Sequence, residues 1–298
     1  MNKVDLHVHT NKSDGTNTPS EILIKAEELG LERIAITDHE TVAAYTEVIG
    51  NRHLFSGTIV PGIELKTICK GREIELLGFG ISIEDMKKNL PLFYKSKEKI
   101  NRGYLSAIIK VLKERGIILP KDIERQYTGG SQPSWFIRKV IFEDEENLEE
   151  NMRKFYDDRI GHINKTALYR DWFSNPQSNF YVEYHGYPSY DKAIELIKMC
   201  HGKVFIPHIF QYGEISKEIL AEMLQTGEID GIECYYPTFS LEQTQDLLNV
   251  CKDKNLLISG GSDFHGTAKK NELGKGLNNN LNIPITKVFE WTEKLKIK

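Results

Sequence analysis

Cysteine is scarce in this chain of 298 residues, where only Cys69, Cys200, Cys234 and Cys251 are present. The four lie far apart, and none belongs to a C-x-x-C pair. This spacing argues against a cysteine-ligated zinc knuckle and against a disulfide framework. We therefore expect four buried thiols, because free cysteine behaves as a small hydrophobic residue.

Long apolar segments and a strong positive charge are also missing. No run approaches the roughly 20 apolar residues that a membrane-spanning helix needs, and the first residues lack the charged and then apolar layout of a secretory signal. We therefore expect a cytoplasmic protein without a membrane partner. The net charge of −4 argues against a stable complex with long nucleic acid.

What the chain does have is an alternation of apolar strands with amphipathic helices. A strand pattern at residues 4–8 is followed by a helix pattern in which Thr18 and Glu21 form a capping box and Gly30 marks the end. Further βα units follow in the last hundred residues or so. Repeated units of this kind predict a parallel sheet, and their number indicates an α/β barrel or a distorted barrel.

The alternation is interrupted in the middle of the chain. Leu105, Ile108, Ile109 and Leu112 have the spacing of one helix face, and several short helical patterns follow without a convincing strand. We interpret residues 97–164 as a small helical domain inserted between two parts of a barrel, 1–96 and 165–298.

The first strand carries side chains that can hold a metal ion. Because side chains alternate along a strand, His7 and His9 share one face, and Asp14 lies in the loop at the carboxyl end of the strand. By itself, this pattern also fits two histidines without a metal.

Four later strand patterns end in the same residue types. The sequences AITDHE, PGIEL, VFIPH and LLISGGSDFHG place side chains at the ends of apolar runs, where barrel enzymes build their sites. A buried structural histidine accounts for one such position, but it accounts for five strand ends poorly. We therefore predict a metal centre that these strand ends share, with candidates His39, Glu64, His208, Asp263 and His265.

These motifs resemble a known family. The stretches DLHVHTNKSDGTNTPSEIL, ERIAITDHETV, PGIEL and GGSDFHG are similar to those of the polymerase and histidinol phosphatase (PHP) family of metal-dependent phosphoesterases. The helical insertion resembles the branch of that family that acts on nucleotides. The resemblance implies a distorted (β/α)7 barrel with an inserted helical domain.

The resemblance also implies a ligand set for two or three divalent ions. His7, His9, Glu64 and Asp263 would hold the first ion, while Asp14, His39 and His265 would hold another. Glu64 and His208 would contribute to a third site, where Glu75 replaces a histidine of the family. Glu75 as a ligand and Glu75 as a solvent-facing residue both remain open.

Nitrogen and oxygen ligands without thiolate suit Mn²⁺, Fe²⁺ or Zn²⁺. The implied activity is hydrolysis of a phosphate monoester or a short phosphodiester by a metal-activated hydroxide. We assign catalytic roles to His39, His208 and Asp263, and the leaving group would take its proton from His208 or from a metal-bound water.

The substrate residues depart from the family pattern. Similar nucleotide-cleaving members often carry G-R-P-H in the insertion and A-H-P-x-R-Y after a late strand. Here Gln132 and Gln211 stand in place of the arginines, and Ser134 stands in place of the histidine. We predict substrate contacts by these three residues, with a small phosphorylated substrate such as a nucleotide or short oligonucleotide. A metal-dependent amidohydrolase and a non-catalytic metal- or nucleotide-binding protein are the alternatives.

Overall fold

The computed structural model of the protein describes residues 3–129, 131–156, 164–173, 175, 177–184 and 186–297. The chain forms two compact units, one of residues 1–94 and 188–298 and the other of residues 95–187. The insertion predicted at 97–164 lies within the second unit, although its residues 157–163 lie outside the described part. That this segment is a separate domain stays a prediction.

The first unit is built on a seven-stranded sheet with the strands in chain order. After the last strand, the His9 N–H donates to the Phe264 carbonyl at 2.9 Å, so the sheet nearly closes on itself. This confirms the distorted barrel. The strands are β1 Val4–Val8, β2 Arg33–Ile36, β3 Thr58–Cys69, β4 Arg72–Phe79, β5 Lys203–Ile206, β6 Gly231–Tyr235 and β7 Leu257–Gly260.

One strand of this barrel runs against its neighbours. β4 pairs antiparallel with β3 and β5, whereas the other neighbouring pairs are parallel. The prediction of a parallel sheet is therefore wrong for β4. The reason is the connection between β3 and β4: Lys70 and Gly71, with φ of 50° and 72°, form a two-residue turn that can join only antiparallel strands.

The helices of both units follow in chain order. They are α1 Pro19–Glu28, α2 Ala44–Gly50, α3 Ile83–Phe93, α4 Lys97–Glu114, α5 Ile123–Gln126, α6 Pro133–Glu143, α7 Leu148–Tyr156, α8 Lys165–Leu168, α9 Tyr190–Met199, α10 Ser216–Gln225, α11 Leu241–Asp253 and α12 Ile285–Leu295. Short 3₁₀ helices cover Arg52–Leu54, Ile209–Ile215 and Gly266–Ala268, and a π-helix covers Tyr169–Phe173. Each of the described helices is too short or too polar to cross a membrane. The cytoplasmic location stays a prediction.

Helix α1 shows how the sequence sets the start of an element. The Thr18 hydroxyl accepts from the Glu21 N–H at 3.2 Å, and the Glu21 carboxylate accepts from the Thr18 N–H at 2.8 Å. This is the predicted capping box, which satisfies two backbone donors that the helix itself leaves unpaired. The buried face of α1 within the barrel unit includes Ile22, Leu23 and Ala26.

The apolar core of the barrel unit combines strand and helix side chains. Val4, Leu6 and Val60 pack in one buried cluster with Phe205 and with Trp291 of α12. All four cysteines are buried free thiols, as predicted.

The second unit has a core of its own. The predicted face of α4, formed by Leu105, Ile108, Ile109 and Leu112, is buried against α6 and α7 side chains such as Ile137. The helical pattern read from the sequence is therefore confirmed for α4.

Candidate metal centre

Strand β1 and the loop after it supply the first side chains of the centre. His7 and His9 are fully buried, and their ring centroids lie 5.2 Å apart. The loop then turns back tightly, because the Gly15 N–H donates to the Thr10 carbonyl at 2.9 Å. A Cβ on Gly15 would lie 2.6 Å from the His9 carbonyl oxygen. The glycine of the SDG motif is therefore a steric requirement that lets Asp14 return toward His9.

Three more strands bring side chains to the same place. His39 follows β2 and forms an isolated parallel bridge with Glu64, and His208 follows β5. Glu64 lies inside β3 rather than at its end, so the predicted end of that strand is wrong. The strand continues to Cys69 because it pairs with β4, which carries Glu75 opposite Lys66.

The segment after β7 completes the cluster with Asp263 and His265, both of which are buried. Asp263 has a φ of 54°, a left-handed conformation that aspartate tolerates better than most residues. Gly261 is needed for a different reason, because a Cβ there would lie 2.3 Å from the His7 Cβ.

Glu64 lies at the centre of the cluster. Its Oε2 is 3.2 Å from the His7 Nε2, 3.1 Å from the His9 Nε2 and 3.4 Å from the His39 Nδ1. Its Oε1 is 3.0 Å from the His208 Nε2. One carboxylate therefore faces four imidazoles.

Asp263 and Asp14 face the imidazoles from other sides. The Asp263 Oδ1 lies 3.4 Å from the His9 Nε2 and 3.4 Å from the His265 Nδ1. The Asp14 Oδ1 lies 3.2 Å from the His265 Nε2, and its Oδ2 lies 3.5 Å from the His39 Nε2. His265 and His9 also stack, with ring centroids 4.1 Å apart.

Glu75 occupies the remaining side of the cluster and is partly exposed. Its Oε2 lies 3.4 Å from the His208 Nε2, and its Oε1 lies 3.8 Å from the His39 Nδ1. Of the two alternatives that the sequence left open, this position agrees with a ligand, because the carboxylate faces the other candidate groups.

Four groups of these side chains each place ligand atoms within 4.8 Å of one another. Every residue that the sequence predicted as a ligand belongs to at least one group, so the folded chain brings the predicted set together. The groups are His9, Asp14, His39 and His265; His7, Glu64 and His208; His7, His9 and Asp263; and His39, Glu64 and Glu75.

The donor atoms of the cluster fit divalent ions. Within the described part of the chain, both ring nitrogens of His9, the Nδ1 atoms of His39 and His208, and the Nε2 of His265 are buried and make no well-aligned hydrogen bond. Carboxylate oxygens lie within 3.6 Å of all of them except the His208 Nδ1. Buried nitrogens without an aligned partner are costly unless another partner is supplied. Ligand atoms about 2.1 Å from one ion lie about 3.0–3.4 Å apart, close to the observed nitrogen–oxygen separations. Nitrogen and oxygen donors of this kind suit Mn²⁺, Fe²⁺ and Zn²⁺.

When no ion is present, buried carboxylates and neighbouring imidazoles stabilise each other's charged forms. Burial by itself would raise the pKa of Glu64, but the nearby His7, His39 and His208 hold it well below its usual range. Burial likewise opposes protonation of His9, yet Asp263 and Glu64 raise its pKa to about 9. Protonated His7 and His9 therefore compensate the buried carboxylates, a role that metal ions would take over, whereas burial lowers the pKa of His39 to about 4.

Glu75 behaves differently. Burial and the negative charge of Glu64 raise the pKa of Glu75 to about 7. Near neutral pH, a cation that approaches His39 and Glu64 would therefore displace the proton of this carboxyl into solvent at little cost.

The sequence reasoning missed Glu233 of β6. Its Oε1 accepts from the His7 Nδ1 at 3.0 Å, and its Oε2 accepts from the His208 backbone N–H at 2.8 Å. The sequence did offer a sign of this role, because Glu233 lies between Ile232 and Cys234 in an otherwise apolar strand. A carboxylate buried in such a strand needs polar partners.

Asp5 and Asp38 shape the loops around the imidazoles. Asp5 accepts from the Ser262 N–H at 2.8 Å and from the Gly274 N–H at 2.7 Å. Asp38 accepts from the Thr10 N–H at 2.7 Å. Both aspartates therefore hold the chain segments that carry the candidate ligands.

A second set of polar side chains surrounds Asp263. The Tyr236 hydroxyl and the Lys269 ammonium donate to its Oδ2 at 2.8 Å and 2.7 Å. Gln211, predicted as a substrate residue, donates to the Tyr236 hydroxyl. Gln211 thus reaches the cluster through Tyr236, and direct contact with a substrate stays a prediction.

The other two predicted substrate residues belong to the second unit. Gln132 precedes the first turn of α6, and Ser134 lies buried within that turn. Their role in substrate binding stays a prediction.

Known proteins resemble this chain over most of its length. The profile of the PHP domain matches residues 5–228. A phosphoribosyl 1,2-cyclic phosphate 1,2-diphosphodiesterase from Eggerthella lenta is 25% identical over 264 residues, which cover 88% of this chain and 94% of that protein. A 5'-3' exoribonuclease from Haemophilus influenzae is 26% identical over 280 residues, which cover 92% of this chain and 94% of that protein.

Solved structures share the fold. The structure of an amidohydrolase from Chromobacterium violaceum superimposes with a TM-score of 0.62 at 20% sequence identity, covering 99% of this chain and 98% of that one. The profile match spans most of the candidate ligands, and the cluster of candidate ligands described above lies in the barrel unit. The chain belongs to the PHP domain family.

Proposed function

We propose that this protein is a metal-dependent phosphoesterase that hydrolyses a phosphate monoester or a short phosphodiester of a small nucleotide. The observation that carries this proposal is the convergence of five imidazoles and four carboxylates in four overlapping groups of ligand atoms. The names of the two relatives, a cyclic phosphate diesterase and an exoribonuclease, support the substrate class.

Three ions fit the charge of the cluster better than two. The carboxylates of Asp14, Glu64, Glu75 and Asp263 carry −4 when ionised, so two divalent ions leave no net charge and three leave +2. A net positive charge favours an anionic phosphate. We assign His7, His9, Glu64 and Asp263 to one ion, Asp14, His39 and His265 to a second, and Glu64, Glu75 and His208 to a third.

When bound, such ions supply a Lewis acid that activates water and neutralises charge on phosphate. The protein would supply the ligands and hold them in position. Glu64 and the imidazoles of His7, His9 and His208 are nearly inaccessible to solvent, so the surrounding packing holds them in position. Lys269 is partly exposed beside Asp263 and brings a positive charge to the rim, where the chain lacks the arginines of similar proteins.

The leaving group needs a proton, and the cluster offers one candidate side chain. His208 lies between Glu64 and Glu75, and the two carboxylates raise its pKa against the opposing effect of burial. His208 is therefore placed to hold a proton when it is not bound to a metal; otherwise the proton comes from water.

Metal content and turnover test the proposal together. After loading with Mn²⁺ and removal of excess ion, we expect three ions per chain by elemental analysis. Hydrolysis is then measured as phosphate release from 3′- and 5′-nucleotides, a 3′,5′-bisphosphate and an aryl phosphate, and as release of mononucleotides from short oligonucleotides. His39→Ala should lower the observed turnover at least about 100-fold, because a direct ligand matters more than the outer groups that cost 10–100-fold.

The exposed His53 offers a matched control, and His53→Ala should behave as the wild type. Unchanged turnover in His39→Ala would show that the site is assigned wrongly. A fully loaded wild-type protein that hydrolyses none of these monoesters and diesters would instead favour a non-catalytic metal-binding protein.

A further inference from the structure

Glu233 is hydrogen-bonded to two of the candidate ligand residues, His7 and His208. It is 1% exposed in β6, and each of its carboxylate oxygens accepts one hydrogen bond. Its Oε1 lies 3.0 Å from the His7 Nδ1, and its Oε2 lies 2.8 Å from the His208 backbone nitrogen. Both imidazoles also face Glu64, at 3.2 Å and 3.0 Å from their Nε2 atoms.

The chemistry of these partners restricts the position of one proton. A backbone N–H can only donate, and an ionised carboxylate can only accept. Glu233 therefore pairs with His7 only when the His7 Nδ1 carries the proton. The lone pair of the neutral ring is then on Nε2, which points toward Glu64 and Asp263 at 3.2 Å and 3.6 Å.

We propose that Glu233 is a positioning residue that fixes the His7 tautomer with Nε2 free for an ion and, through the backbone of His208, holds a second imidazole against the same site. This inference rests on the proposed metal binding by the cluster. A carboxylate that orients a ligating imidazole also increases its basicity, and loss of such a partner typically costs 10–100-fold in metal affinity.

Replacement by glutamine gives a result that a purely structural role would not. The His208 N–H needs an acceptor, so the amide oxygen of Glu233→Gln would face it. The amide NH₂ would then face the His7 Nδ1, which would have to accept. The ring proton would move to Nε2, toward Glu64, and block the coordinating atom.

Replacement by alanine removes the partner without reversing the hydrogen bond. In Glu233→Ala, the proton of His7 can stay on Nδ1, which then donates a hydrogen bond to water. We therefore expect Glu233→Gln to bind ions more weakly than Glu233→Ala, although glutamine preserves the shape of the side chain. A role in packing alone predicts the opposite order, because alanine leaves a cavity.

The experiment measures metal binding by the full chain rather than turnover. Zn²⁺ is titrated into metal-free protein by calorimetry, and bound ions are counted after dialysis. We expect Glu233→Gln to lose at least one ion per chain or about 10–100-fold in affinity, with a smaller loss in Glu233→Ala. ¹⁵N NMR of the zinc-loaded wild type should show a protonated His7 Nδ1.

Controls separate this effect from misfolding. Glu242→Gln, an exposed change in α11, should bind Zn²⁺ as the wild type does, and thermal unfolding of each metal-free variant checks that it is folded. Equal affinities of Glu233→Gln and the wild type, or an affinity order with alanine weakest, would overturn the inference while leaving the proposed function intact. A wild-type protein that binds no Zn²⁺ would overturn both.

Discussion

At the scale of single residues, buried charge is the dominant feature of this protein. Glu64 and Asp263 are nearly inaccessible to solvent, and in each case the neighbouring imidazoles outweigh burial and keep the pKa well below its usual range. Buried charges of this kind are tolerated only when they are paired or bound to metal. The cluster is therefore a costly arrangement for folding, and ion binding would stabilise the folded state.

Ionisation of Asp5 makes the free energy of unfolding depend on pH, and one substitution separates this contribution from those of the other buried groups. Burial, which outweighs the hydrogen bonds from Ser262 and Gly274, raises its pKa to about 6. The folded state therefore holds this proton more tightly than the unfolded state. The stability that Asp5 contributes is fully present below about pH 4 and falls by about 3 kcal/mol as the pH rises to about 6.

The measurement is urea unfolding of metal-free wild type and Asp5→Asn between pH 4 and pH 7. The difference in the free energy of unfolding between the two should shrink as the pH rises through this window. Asp246→Asn, an exposed change in α11, should leave the difference flat. A wild-type advantage that grows with pH would contradict the assigned shift.

At the scale of elements, the hairpin of β3 and β4 decides the shape of the site. In a parallel βα barrel, strands end at the rim, but here β3 continues to Cys69 and β4 returns beside it. The hairpin therefore places Glu64 and Glu75 on adjacent strands of one rigid element. Two of the residues that would hold the third proposed ion, Glu64 and Glu75, lie in this hairpin, so their relative position depends on a short turn rather than on a long loop.

Contact between the segment after β7 and β1 offers a test at the same scale. A Cβ added to Gly261 would lie 2.3 Å from the His7 Cβ and 2.5 Å from the His7 backbone nitrogen. Because backbone cannot move aside easily, we expect Gly261→Ala to destabilise the protein by about 1–3 kcal/mol and to weaken metal binding.

Gly50 provides the matched control. It is the last residue of α2, and a Cβ there would meet no atom within 4 Å. Gly50→Ala should leave stability unchanged or raise it by up to about 1 kcal/mol. Chemical unfolding and ion counting on both variants check this, and equal behaviour of the two would show that the close approach to His7 does not constrain the site.

At the scale of the whole molecule, the described residues of each unit form an apolar core within that unit. The barrel unit packs β-strands against helices such as α12, whereas the second unit packs α4 against α6 and α7. The candidate ligands all belong to the barrel unit. Stability of the second core should therefore be separable from metal binding.

Leu112 tests this separation, because it is completely buried in the core of the second unit. Leu112→Ala should destabilise that unit by about 2–5 kcal/mol, seen as faster hydrogen exchange in α4, α6 and α7. The ion count of the loaded protein should stay the same. Loss of ions from Leu112→Ala would contradict the independence of the two cores.

The set of candidate metal ligands and most of the helices and strands could be predicted from the residues alone. Histidine and carboxylate recur at the ends of several apolar strands, where burial without a metal would be costly, and local signals such as the Thr18 capping box set element boundaries within a few residues. The buried face of α4 was likewise predictable from the spacing of Leu105, Ile108, Ile109 and Leu112. These features depend on side-chain type and short spacing, which a sequence displays directly.

The pairing of those groups became clear only from the folded chain. The reversal of β4, the position of Glu64 inside β3 and the contact of Glu233 with His7 each join residues far apart in the chain. Strand direction follows from one short turn, and the partners of a buried carboxylate follow from barrel closure. Such contacts depend on register and distance in space, which the order of residues does not contain.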